Sequence, residues 1–175
     1  AAARGAWIAP ANEPLRGVVA LDPPVRATHL AALHEAQVNV VRQDPRGFLA
    51  LSADTLSDEE DYRPIGVRRL LSLLRRLALR LGAAYVFEPH DEAFRRLVRR
   101  GFEGMLGEMF ARGAFAGAAP AAAFRVVTDS TLNTDRMADL GRFVVELKVA
   151  PSLPMTFLTV RLVQSGDRGL ATEEG

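Results

Sequence analysis

Apolar side chains at Val67, Leu70, Leu71, Leu74, Leu77, Ala78 and Leu81 fall at the i, i+3, i+4, i+7 spacing of one helical face. Gly82 follows where a C-terminal cap would sit. A second stripe, Phe94, Leu97, Val98, Gly101, Phe102, Met105, Met109 and Phe110, predicts a helix over 92–112 that ends at Gly113. Elsewhere the period changes. In F-L-T-V-R-L-V (157–163), Phe157, Thr159, Arg161 and Val163 share one side and Leu158, Val160 and Leu162 the other, the alternation of a strand. Further strands are predicted at V-N-V-V-R (38–42), F-L-A-L (48–51), Y-V-F (85–87), F-R-V-V-T (124–128) and F-V-V-E-L-K-V-A-P (143–151). A turn around Asp44 to Gly47 makes the first two a hairpin. Together these elements predict an α+β fold: a mixed β-sheet packed against two principal helices, with an extended N-terminal segment and a C-terminal arm strand.

Residues 1–26 carry Pro10, Pro14, Pro23 and Pro24, which remove backbone donors and disfavour helix before them. An extended lead-in is expected, with V-V-A-L (18–21) its one short strand. T-H-L-A-A-L-H-E-A (28–36) reads as a short helix capped by Thr28. Residues 52–65 are polar and aperiodic, 113–120 are small, and 129–135 are rich in turn formers. The polar end, 165–175, is expected to be a disordered tail. The organisation is therefore a lead-in (1–26), one domain (27–164) that includes the arm strand 155–164, and the tail. The chain starts A-A-A-R-G-A-W without an initiator Met, so the lead-in is expected to join an upstream domain of a longer polypeptide.

Composition narrows the classes. At 175 residues, one core of ordinary size is the default, and 49% hydrophobic with 25% charged residues is the balance of a globular domain. A formal charge of +1 predicts no general attraction to nucleic acid or anionic lipid. No apolar run approaches the roughly 18–20 residues that a membrane-spanning helix needs. With no cysteine, disulfides, thiolate catalysis and cysteine-based zinc sites are excluded.

Three clusters could carry chemistry. E-P-H-D-E places Glu88, His90, Asp91 and Glu92 within five positions, and carboxylates beside an imidazole suit general acid-base work or a metal. The spacing also fits punctuation between strand and helix, with Pro89 as the break, Asp91 as the N-cap and acids in the first turn. His29 and His34, five apart, stand about 140° apart around a helix and cannot jointly hold one ion. Arginines crowd both helices: Arg68, Arg69, Arg75, Arg76 and Arg80 on the first, Arg95, Arg96, Arg99 and Arg100 on the second. Phosphate contact is one reading, but no aromatic residues interleave them for stacking on single strands. Solvated faces or an acidic protein partner are the others. No nucleophile elbow, Walker loop or dinucleotide fingerprint is present. The residues therefore predict no catalytic, cofactor or metal site. A small-molecule enzyme built on Glu88, His90 and Asp91, and an arginine-rich nucleic-acid binder, stand as alternatives.

Read in order, several stretches resemble the C-terminal portion of contractile tail sheath proteins, found in phages with contractile tails and in related bacterial injection particles. They are G-A-W-I-A-P-A-N-E-P-L-R-G-V (5–18), V-N-V-V-R, V-R-R-L (67–70), V-F-E-P-H-D-E (86–92), G-A-F-A-G-A-A-P-A-A-A-F-R-V (113–126), L-N-T (132–134), G-R (141–142) and V-A-P-S-L-P-M-T-F (149–157). His90 stands where the family usually has Asn, A-L-S-A-D-T-L (50–56) where it has W-G-A-R-T-L, and Pro154 to Phe157 where it has P-A-E-F. The resemblance implies a mechanical, enzyme-free role without cofactors. Copies would form a helical sleeve around an inner tube, with baseplate and terminator proteins at its ends, and with neither nucleic acid bound nor direct membrane insertion. The particle would assemble in the bacterial cytoplasm and then form part of a phage tail or injection device. Within that role, Phe157, Leu158, Val160 and Leu162 are expected to form a strand lent to a neighbouring subunit. Arg95, Arg96, Arg99 and Arg100 are expected to face the inner tube.

Overall fold

The computed structural model describes residues 5–85, 91–151, 158–165 and 169–174. The chain divides into two compact units, one up to Arg69 and one from Leu70 onward.

In the first unit, a 3-10 turn (Ala27–His29) leads into helix α1 (Leu30–Glu35). Thr28 lies inside that turn and caps nothing; His29 occupies the N-cap without a side-chain hydrogen bond. Strands β1 (Val41–Asp44) and β2 (Gly47–Ala50) form the expected hairpin. Its turn is fixed by Asp44, whose carboxylate accepts from the Arg46 backbone N–H at 3.1 Å and from its Nε at 3.3 Å. V-V-A-L makes no strand, and Val19 is 92% exposed, because no neighbouring strand offers it a partner. The backbone that does pair lies earlier. Asn12 N–H donates to the Ala50 carbonyl at 2.8 Å and Leu15 N–H to that of Phe48 at 2.7 Å, so this stretch runs along β2.

Helix α2 (Ile65–Gly82) begins in the first unit and continues into the second. Its stripe is buried at Val67, Leu70, Leu71, Leu74 and Ala78, as the periodicity requires. Gly82 is the last helical residue, and its role is close approach: a Cβ there would meet Leu162 Cδ2 at 2.6 Å. A 3-10 turn (Ala83–Tyr85) follows, so Tyr85 is not in a strand, and the rest of the Y-V-F stretch lies outside the described residues. Helix α3 (Glu92–Ala111) buries Phe94, Val98, Phe102, Leu106 and Met109. Gly101 makes room for Tyr85, whose Oη would sit 2.5 Å from a Cβ, whereas Gly104 and Gly107 face open space.

The second unit closes with short helix α4 (Pro120–Ala123), strand β3 (Phe124–Val127), short helix α5 (Asp135–Asp139), and strands β4 (Arg142–Val149), β5 (Leu158–Ser165) and β6 (Gly169–Glu174). The α+β class stands. The sheet, however, is antiparallel throughout, in the order β3-β4-β5-β6. Consecutive strands here are joined by short connections that return the chain alongside itself, and no long crossover brings two strands parallel. The 165–175 segment expected to be a tail supplies β6, held by the open edge of β5 with Ser165 opposite Gly169 and Val160 opposite Glu174. A polar sequence is no bar to a strand whose partner supplies the hydrogen bonds.

One face of this sheet packs on the helices. Phe143 meets Phe94 edge-on with centroids 4.9 Å apart, and Val98 and Phe102 line the same small apolar gap as Val145 and Leu162. Phe102, Leu106, Leu147, Val149 and Val160 are fully buried. Each such side chain contributes about 1.5–3 kcal/mol relative to exposure.

Candidate functional site

The opposite face of the sheet carries charge. Glu146 on β4 is buried to 6% side-chain exposure, yet it points away from the helices. Its Oε2 accepts from Arg161 Nε at 2.8 Å, directly across on β5, and its Oε1 lies 3.1 Å from Lys148 Nζ. Burial by itself would raise the Glu146 pKa; the hydrogen bonds and charges of Arg161 and Lys148 outweigh it and hold the carboxyl below its ordinary value.

Next to this triad, β3 stops pairing at Glu146, so Val144 lies beyond its end. Asn133, 3% exposed, takes over the pairing there. Its side-chain carbonyl accepts from Val144 N–H at 2.7 Å and its amide donates to the Val144 carbonyl at 2.8 Å. One Asn thereby satisfies two backbone groups of β4 that would otherwise be buried without partners. Thr134, next in sequence, caps α5 by accepting from Met137 N–H. The L-N-T stretch is thus a sheet-edge clasp followed by a helix start. Sequence reasoning missed both Asn133 and Glu146 as structural determinants. The only local signal was an Asn-Thr pair ahead of a short helix.

The acidic cluster resolves toward punctuation where it is described. Asp91 caps α3, accepting from Phe94 N–H at 2.7 Å, and Glu92 pairs with Arg96 at 2.8 Å one turn on. Glu88 and His90 lie outside the described residues. His34 Nδ1 is 3.8 Å from Asp54 Oδ2, and His29 stands apart in its 3-10 turn. Among the described residues, no group of three His, Asp or Glu side chains is placed to hold a metal ion.

The four α3 arginines are brought together but are not equivalent. Arg96 pairs with Glu92, Arg99 lies 3.7 Å from Glu103, and Arg100 Nε donates to the Arg96 carbonyl at 3.4 Å. Arg95 is half-buried, and its Nε is enclosed without a hydrogen-bond partner. Arg95, Arg96 and Arg99 line one wall of a groove of about 870 Å³ whose other wall is β3, with Arg125 and Asp129. Hydrogen bonds from the Thr131 hydroxyl and backbone keep the Asp129 carboxyl below its usual pKa despite the opposing effect of burial. Because β3 is an edge strand, this wall presents unpaired backbone.

Of the residues expected to form a lent strand, Leu158, Val160 and Leu162 lie in β5 and are buried against the unit's own core, between β4 and β6. Phe157 lies outside the described residues. In the single chain, then, β5 is an interior strand. On α2, Arg75 donates from Nε to Thr172 Oγ1 at 3.0 Å and from Nη1 to Glu174 at 3.3 Å, tying β6 to the helix.

No family model matches the chain, and no curated protein does. Solved structures do. A chain of the anti-feeding prophage helical sheath in its contracted state is 29% identical over 88% of this chain, with a TM-score of 0.79. A chain of the contracted PVC sheath complex, an extracellular contractile injection system, is 26% identical over 87%, with a TM-score of 0.82. The sheath tail protein of Desulfitobacterium hafniense shares the fold over 91% of the chain at 12% identity, with a TM-score of 0.72. The chain spans 44% of the length of the two injection-system proteins. Over most of its length, it is a relative of contractile sheath proteins.

Proposed function

We propose that the chain is a structural, non-enzymatic subunit of a contractile sheath. Copies assemble into a helical sleeve around an inner tube, and the sleeve shortens and widens to drive the tube through a target envelope. The observation that carries this reading is the match to sheath chains of two injection systems at 26% and 29% identity over nearly nine-tenths of this chain. Its partners are then copies of itself, the inner tube protein, and the baseplate and terminator proteins. The particle is assembled in the bacterial cytoplasm and becomes part of a phage tail or injection device.

A sheath must rearrange without coming apart, so some subunit connections persist while others slide. Strand pairing between neighbours suits the persistent kind, since each backbone hydrogen bond contributes about 1 kcal/mol net. The arginine face of α3, through Arg95, Arg96, Arg99 and Arg100, suits the kind that releases. Exposed ion pairs contribute about 0–1 kcal/mol each, enough for a grip in number and little enough to let go.

The test is electron microscopy of the complete protein co-expressed with its tube protein. Striated tubes of regular repeat are expected. Dispersed single particles under all conditions, or a small molecule bound beside Asp91 and Glu92, would contradict the reading.

A further inference from the structure

β5 and β6 are neighbours in one sheet but are held very differently. β5 buries Leu158, Val160, Leu162 and Gln164, whereas every residue of β6 is exposed or half-exposed. The single large apolar side chain of β6, Leu170, rests near Gly82. Its remaining attachment is the backbone ladder to β5 and the two contacts from Arg75 to Thr172 and Glu174, at 3.0 and 3.3 Å on a half-exposed guanidinium. Strands with so little buried apolar area open at low cost while the rest of the fold stays closed. Opening β6 would bare the edge of β5, a row of unpaired N–H and C=O groups backed by Val160 and Leu162.

We infer that the β5 edge is a docking site for the β6 strand of a second copy, and that in the free subunit its own β6 keeps the site closed. This rests on the sheath reading above and adds its regulation: assembly begins only where β6 has been released. The occupant is argued from fit. The edge matches a six-residue strand in the register Val160 to Ser165 against Glu174 to Gly169, with a small gap at Gly82 for Leu170 and a guanidinium for Glu174. A second copy carries those same six residues, so each contact seen within one chain is available between two, which is the low-cost route of domain swapping.

The chain has no cysteine, so a single engineered pair reports on this site. Val163 and Ala171 are Cα partners across β5 and β6, within the range a disulfide spans. In the complete protein carrying Val163→Cys and Ala171→Cys, oxidation before assembly is expected to give an intrachain bond and no tubes, with reduction restoring them. Oxidation after assembly is expected to give a ladder of covalent multimers on a non-reducing gel. Oxidised subunits that build tubes as readily as reduced ones, or a bond that stays within one chain in the assembled sheath, overturn the inference while leaving the sheath reading intact. No tubes from the unsubstituted protein overturn both. Hydrogen exchange on the unsubstituted free protein is a second readout: amides of 169–174 are expected to exchange at least about tenfold faster than those of 158–165. Equal protection of the two strands would contradict a displaceable β6.

Discussion

The two faces of the four-stranded sheet are held by different physics. On the helix side, Phe143, Val145, Leu147, Val160 and Leu162 are buried against α2 and α3 and need only volume and water exclusion. On the other side, the same β4 presents Glu146 between Arg161 and Lys148, and Asn133 closes the ladder at Val144. The apolar face supplies most of the stability. The polar face is directional, and a one-residue slip of β4 would carry Glu146 into the core and Val145 out of it. The polar face therefore fixes which pairing is adopted, and it leaves β5 and β6 in a defined register at the edge where subunits are proposed to meet.

Substitutions break this contrast in order. Phe102→Ala removes a fully buried ring from the apolar face and is expected to cost about 3–5 kcal/mol, read as a lower denaturant midpoint with unchanged m-value. Asn133→Ala leaves two buried backbone groups of Val144 unpaired and is expected to cost about 2–4 kcal/mol. Asn133→Asp, which keeps the acceptor and loses the donor, should fall between that and the unsubstituted protein. A cost for Asn133→Ala under about 0.5 kcal/mol would show that water replaces the clasp.

Glu146→Gln is expected to cost about 1 kcal/mol near neutral pH, since both cationic partners remain half-exposed. Its pH dependence sharpens the point. The folded carboxyl has the lower pKa, so its contribution is complete above the ordinary glutamate value of about 4.3 and is lost as pH falls through the folded value. Thermal melts of the two proteins should differ at pH 7 and converge in strong acid; a constant gap would assign the effect to packing. Smallest of all, Arg99→Glu exchanges one exposed helical pair for a repulsion with Glu103, about 0.3–0.5 kcal/mol. Together with Arg95→Glu it should leave the fold intact while weakening recruitment of the inner tube in a co-sedimentation assay.

The apolar face was legible in the sequence because both periods are local: 3.6 along Leu70, Leu71, Leu74 and Ala78, and two along Leu158, Val160 and Leu162. The polar face was not. Asn133 meets a partner eleven residues away, and Glu146 meets Arg161 fifteen residues away. Nothing in the spacing of either residue announces such a pairing. β6 was hidden for a related reason: G-L-A-T-E-E has one large apolar residue, and its strand conformation comes from the edge it joins. V-V-A-L shows the converse, an apolar run with no edge to join. Asp91 followed its sequence signal closely, because a cap is a contact within one turn.

The central claim is that this chain acts by joining copies of itself. Sedimentation velocity of the complete protein over a wide concentration range measures that directly. The account predicts a species that grows with concentration from single subunits to long assemblies. A single, unchanging sedimentation coefficient of monomer size at every concentration, with and without the tube protein, would contradict it.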